Sequence, residues 1–128
     1  MEAALRALLV GDTTLAGLVD ADSIVWNHLP QATRRPAIAL YRISGGPGIH
    51  MLGSDRLENG RVQLDIQALS VASMWAIRDA VLALMHGYRD EEFRGIFLLN
   101  QQQSDEKLTD NILIHRCRMD FDVWARAA

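Results

Sequence analysis

The chain has 128 residues, of which 49% are apolar and 23% charged, a composition that folds around one hydrophobic core and excludes intrinsic disorder. Its formal charge is −3, and no run of like charge is longer than Asp90-Glu91-Glu92, so no basic stripe for nucleic acid is present. The longest apolar run, Ala80 to Met85, falls far short of the roughly 20 residues of a membrane span, and Cys117, the only cysteine, excludes an internal disulfide and any multi-cysteine metal site.

From Glu2 to Val10, Ala4, Leu5, Leu8 and Leu9 follow helical spacing, and Gly11 ends the run. The short apolar run Ala7 to Val10 lacks the basic flank and length of a secretory signal, so a cytoplasmic chain is expected. Asp12 or Thr13 caps a second helical segment carrying Leu15, Leu18 and Val19, which the turn Asp20 to Ser23 breaks. Ile24-Val25-Trp26 is β-branched and aromatic and predicts a short strand, closed by Pro30 and the polar stretch Gln31 to Arg35. Pro36 opens a strand that Ala37 to Ile43 continues.

Arg61 to Ala68 carries the clearest pattern. Val62, Leu64, Ile66 and Ala68 alternate with Arg61, Gln63, Asp65 and Gln67, which makes a strand with one dry face. Ser70 caps a helix from Val71 to His86, where Met74, Ile77, Val81 and Leu84 recur at three- and four-residue intervals and Gly87 is the stop. Gly95 to Leu99 predicts the next strand, and Asn100 to Asn111 a polar loop. In the last strand Cys117, Met119, Phe121 and Val123 face one way, and Arg116, Arg118, Asp120 and Asp122 the other.

The order α-α-β-β-β-α-β-β predicts one α+β domain over residues 1–128, with a mixed, mainly antiparallel sheet of about five strands and the helices on one face. A crossover through the long helix makes the strands before and after it parallel and leaves the rest antiparallel. The loops Ser44 to Glu58 and Asn100 to Asn111 then lie at opposite poles.

Chemical motifs are few. His28, His50, His86 and His115 are nowhere closer than 22 residues, so no pair has metal-ligand spacing. Cys117 and His115, two apart on a strand, stand about 7 Å from each other, too far for direct proton transfer. Cys117 therefore reads as a buried structural thiol. Ser44-Gly45-Gly46-Pro47-Gly48 lacks the lysine and the helix start of a phosphate loop. The acidic pairs Asp90-Glu91 and Asp105-Glu106 read as solvated charges. Twelve arginines against the single Lys107 fit either interface use of the guanidinium or a GC-rich genome.

Two features go beyond what a solitary monomer needs. The stretch Ser44 to Glu58 exceeds the about 2 to 5 residues of ordinary hairpin loops and joins four glycines, Gly45, Gly46, Gly48 and Gly53, to Ile49, Met51 and Leu52. Such an arm either folds back on its own core or orders on a partner. The second feature is the charged strand face of Arg61, Asp65, Arg116, Arg118, Asp120 and Asp122, which serves either solubility or pairing with a neighbouring copy.

Taken together, the two N-terminal helices, Ile24-Val25-Trp26 with Leu29-Pro30, Pro36-Ala37-Ile38, the strand Arg61-Val62-Gln63-Leu64-Asp65, the amphipathic helix and Asp120-Phe121-Asp122-Val123-Trp124 resemble the tail-completion family. These are the tail-terminator proteins of long-tailed phages, prophages and gene transfer agents. The resemblance runs along nearly the whole chain, rests on order and pattern, and carries no active site. It implies a structural protein without catalysis, cofactor or metal, which forms a ring, typically sixfold, caps the tail tube, stops its polymerisation and offers a surface for head joining. The implied partners are further copies of the chain, the tail-tube protein and a head connector or stopper, with DNA only passing through the lumen and no membrane. The implied place is the host cytoplasm during assembly and then the neck of the particle. Six subunits would carry a charge of about −18, a sign that disfavours adsorption of phosphate. The residues expected at assembly interfaces are Ile49, Met51, Leu52, Arg56, Arg61, Asp65, Arg116, Arg118, Asp120 and Asp122. Another neck component, or a small α+β ligand-binding domain with the glycine-rich arm as a lid, are the alternatives.

Overall fold

The computed structural model describes residues 1–29, 35–47, 57–107 and 112–126. Helices α1 (Glu2–Val10) and α2 (Thr13–Ala16) and a single 3-10 turn (Ala21–Ser23) lead into strand β1 (Ile24–Trp26). Strands β2 (Ala37–Pro47) and β3 (Leu57–Ala68), helix α3 (Val71–Met85) and strands β4 (Phe93–Lys107) and β5 (Leu113–Arg126) follow. The sheet has 5 strands in the order β1-β2-β3-β5-β4. It is the expected α+β arrangement.

The expected caps are in place. Asp12 Oδ2 accepts from the Leu15 N–H at 3.0 Å, and Ser70 Oγ accepts from the Ser73 N–H at 3.1 Å, each satisfying a helix-start donor that has no partner within its helix. Gly87, at φ +80, turns the chain after α3 in a conformation that other residues rarely adopt.

One face of the sheet carries the core. Cross-strand neighbours Val62 and Phe121, Leu64 and Met119, and Ile66 and Cys117 form its centre, with Ile38 and Leu40 of β2 beside them. Leu5, Leu9 and Leu15 of the first helices and Met74, Ile77, Val81 and Met85 of α3 close over this face. Met85 occupies the buried place expected of Leu84, which is partly exposed.

β3 and β4 each pair antiparallel with β5, so they run parallel to one another with β5 between them, as a crossover through α3 requires. The expectation that all other pairs are antiparallel is corrected at β1, which pairs parallel with β2 through Ile24, Val25 and Trp26. The polar loop expected from Asn100 to Asn111 is also corrected. Asn100 to Lys107 continues β4 and pairs with β5 as far as Leu113. Ser44 to Pro47 and Leu57 to Glu58, expected in the glycine-rich arm, are likewise paired strand, with Gly45 opposite Gly60 and Gly46 opposite Asn59. The extension of β4 escapes a hydropathy reading because an exposed strand has no dry face to alternate.

Two side chains report on the face assignment. Phe121→Ala should cost about 3 to 5 kcal/mol in denaturant melts, through lost burial and the cavity left behind. Leu64→Asp should prevent cooperative folding while Gln63→Asp is tolerated, because neighbours on a strand face opposite sides. Equal tolerance of the two aspartates would reverse the faces.

Candidate assembly interface

The other face of the sheet is polar but only partly wet. Asp65 is 2% exposed, and Gln67 and Asp120 are buried beside it in the sheet. Arg116, on the neighbouring strand β5, clasps Asp65 through Nε and Nη2 and reaches Glu106 of β4 through Nη1. Gln67 donates through Nε2 to Asp65 Oδ2 at 3.2 Å and accepts from Arg35 at 3.0 and 3.2 Å. The paired carboxylates, Asp65 first, raise the pKa of Arg116 above its already high value, against the opposing effect of burial. This chain of partners joins β3, β5, β4 and Arg35, two residues before β2.

The expected interface residues thus divide. Asp65 and Arg116 hold each other, and Arg61 donates to Asp120 Oδ2 at 2.9 Å. Asp122 accepts from Asn59 at 2.7 Å and from the Trp124 indole at 3.0 Å. Arg118 is exposed and pairs with none of the described residues. Ile49, Met51, Leu52 and Arg56 lie outside the described residues. The signal for self-pairing was present in the sequence, since opposite charges on β3 and β5 fall at matching alternate positions, but it is read only once the register is known.

His115, too, has a partner of its own, with Nδ1 at 2.8 Å from Asp105. Burial pushes the Cys117 thiol up to about 11, the state of a packing group and not of a nucleophile. Among the described residues no three His, Cys, Asp or Glu side chains gather as metal ligands.

The sheet's edges are covered unevenly. β4 is an edge strand, and its first part is closed by the chain that precedes it: Gly87 N–H donates to Ile96 C=O at 2.7 Å, and Leu98 N–H donates to His86 Nδ1 at 3.0 Å. Asp90 fixes this connection, accepting from the Glu92 and Phe93 N–H groups at 2.8 and 2.7 Å and from the Tyr88 hydroxyl at 2.7 Å. From Leu99 to Lys107 every residue of β4 is exposed. Leu99 is 53% exposed, and Trp75 of α3, 47% exposed, hydrogen-bonds Gln103 on this stretch. At the opposite edge, β1 covers β2 only from Ile38 to Leu40. The rest of that edge, Tyr41 to Pro47, has no strand beside it among the described residues, and Ile43 there is 50% exposed.

The family model described as "Tail completion protein gp17" matches residues 3–126. The chain belongs to this tail completion family. As a member of it, the chain is a structural protein of phage tails. Among solved structures it is similar to a chain of the virion of a native gene transfer agent particle, with a TM-score of 0.69 and 14% identity over 99% of this chain and 95% of that one. At that identity the likeness is one of fold, which this tail completion family member shares from end to end. No curated protein matches the sequence.

The clasp between Asp65 and Arg116 sets two expectations for melts. Arg116→Met leaves a buried carboxylate without its cation and should cost about 3 kcal/mol, while adding Asp65→Leu should recover most of that loss. Further loss in the double variant would show that the pair is not what Arg116 contributes. The Asp90 carboxyl is held below its usual range, first by the Phe93 N–H, against a smaller opposing effect of burial. Its stabilisation is complete above the unfolded carboxylate range and is lost as pH falls through the lowered value. The difference in Tm between the wild type and Asp90→Asn should therefore be widest near neutrality and close below about pH 4.

Proposed function

We propose that the protein is a tail terminator: copies of it close into a ring on the end of the tail tube, stop its growth and present the surface to which the head connector or stopper binds. The observation that carries this reading is the placement of free surface on the fold. The connection from β2 to β3 and the connection from β4 to β5 leave opposite ends of the sheet, while the two exposed edges point sideways. A ring of identical subunits needs this division, with two different lateral surfaces for head-to-tail contact and two poles along the axis. Membership of the tail completion family and the likeness to a chain of a gene transfer agent virion support it. The net charge of −3 fits a lumen through which DNA passes without adhering.

Electron microscopy and mass measurement test the reading directly. The purified protein should form closed rings, alone or on tube ends, and particles made without it should carry tubes of uncontrolled length. A protein that stays monomeric alone and does not bind tubes would overturn it. The chain joining β2 to β3 supplies the pole nearest the tube or the adjacent subunit. Replacing Ile49, Met51 and Leu52 together by serine should leave the melt of the subunit nearly unchanged and weaken assembly in sedimentation and tail-joining assays. A much lower Tm with normal assembly would assign these residues to the core instead.

A further inference from the structure

We propose that the sheet runs on from one copy of this chain into the next, the open half of β4 pairing antiparallel with the open half of β2 of a second copy. This rests on the ring reading and names the two surfaces that make the ring.

The backbone supplies donors and acceptors on both edges. Leu98 N–H and Ile96 C=O point away from β5, toward His86 and Gly87. Their partners Phe121 and Val123 therefore direct their own polar groups to β3, and alternate residues of an unbroken ladder do the same. The β3–β5 register is unbroken, so Met119, Cys117 and His115 also face β3. Their partners on β4, Gln101, Gln103 and Asp105, consequently turn N–H and C=O outward. On β2, Leu40 C=O points outward and accepts from Asn27 N–H at 2.7 Å. Its partner Leu64 is in step with Val62 and Gly60, which places the backbone groups of Arg42 and Gly45 on the outer side.

Only a shifted pairing is possible. With two copies level, the open half of β4 would meet the part of β2 that β1 already occupies, and the open half of β2 would meet the part of β4 closed by His86 and Gly87. Through the ladders Gly45 is level with Gly60, and Gln103, which turns outward on the same face, is level with Cys117 and Ile66. Bringing the open halves together, Gly45 opposite Gln103, shifts the second copy by about six residues, or about 20 Å along the strands. The four strands β2, β3, β5 and β4 span about 19 Å at the usual strand spacing. A sheet closing on itself with that shift has strands inclined by about 46°, close to the upper end of the range of about 35 to 45° found in closed sheets.

The sense of the shift agrees as well. With the right-handed crossover usual for parallel strands, and with α3 toward the viewer and β3 pointing up, β4 is the right-hand edge and β2 the left. The copy on the right is then shifted upward, as the right-handed coiling of strands around a closed sheet requires when the helices lie outside. With the helices inside, the required shift would bring β4 against β1. The polar face of Arg61, Gln63 and Arg118 therefore faces inward. Pairing also covers Ile43 on one edge and Trp75, beside Gln103, on the other.

Proline at an outward position removes an edge donor and leaves the β5 ladder intact. Gln103→Pro should melt like the wild type while self-association, read by sedimentation, falls by at least about tenfold. In a chain carrying both Gly45→Cys and Gln103→Cys, which share a face of the sheet, oxidation should give a ladder of covalent multimers that neither single variant gives, with the buried Cys117 taking no part. Where the two measurements disagree, or Gln103→Pro fails to fold, the cross-link decides. Rings that persist in Gln103→Pro, with no cross-linked ladder, would overturn the edge pairing and leave the terminator reading standing. A wild type that forms no ring, alone or on tubes, would overturn both.

Discussion

The antiparallel ladder between β3 and β5, unbroken from Leu57 opposite Arg126 to Ala68 opposite His115, is the constraint on which the rest of the structure depends. Both strands alternate with a period of two, and their register brings dry positions opposite dry ones and charged positions opposite charged ones. A slip of one residue would put Phe121 and Met119 on the polar side and leave Asp65 facing α3. The same register that builds the core therefore also pairs Arg116 with Asp65 and Arg61 with Asp120. Packing and charge pairing are opposite faces of one decision.

That ladder is also where the sequence was most readable. Val62, Leu64 and Ile66 on β3 and Cys117, Met119 and Phe121 on β5 declare their faces by alternation alone, and Asp12 and Ser70 announce their helices by cap chemistry. Asn100 to Lys107 gave no such signal. Its residues are exposed on both sides and along an edge, so no hydrophobic period was imposed on them, and a run containing Gln101-Gln102-Gln103 looks like a loop. The parallel placement of β1 was hidden for a different reason, because three residues fix no direction by themselves. At the interface the sequence showed which charges share a face but not that Asp65 is buried. That burial arises from residues distant in sequence, such as Arg35, whose approach no local pattern records.

Edge strands expose unpaired backbone and invite uncontrolled association, and soluble proteins usually blunt them. Here β4 is blunted over half of its length, by a histidine ring and a glycine amide supplied by its own connection, and β2 is blunted over the complementary half by β1. Each plug excludes the level pairing that would let flat sheets grow edge to edge. What remains accessible is restricted in position as well as in chemistry, so in the proposed association specificity would come from where the edges are stopped more than from which side chains they carry.

Leu99 stands in β4 as an extra residue between Leu98, opposite Phe121, and Asn100, opposite Asp120, and Ile43 stands similarly in β2 between Arg42 and Ser44. Loss of either would leave its neighbours with the same partners and on the same faces, and would remove only a local bend and its added twist. Apart from Arg94, a further extra residue between Phe93 and Gly95, a one-residue deletion elsewhere in these strands inverts everything downstream. Leu99 and Ile43 are therefore, with Arg94, points at which a lineage can alter the curvature of the sheet by a single codon while leaving its interior untouched, so that the breadth of an assembly and the folding of its parts are free to evolve apart.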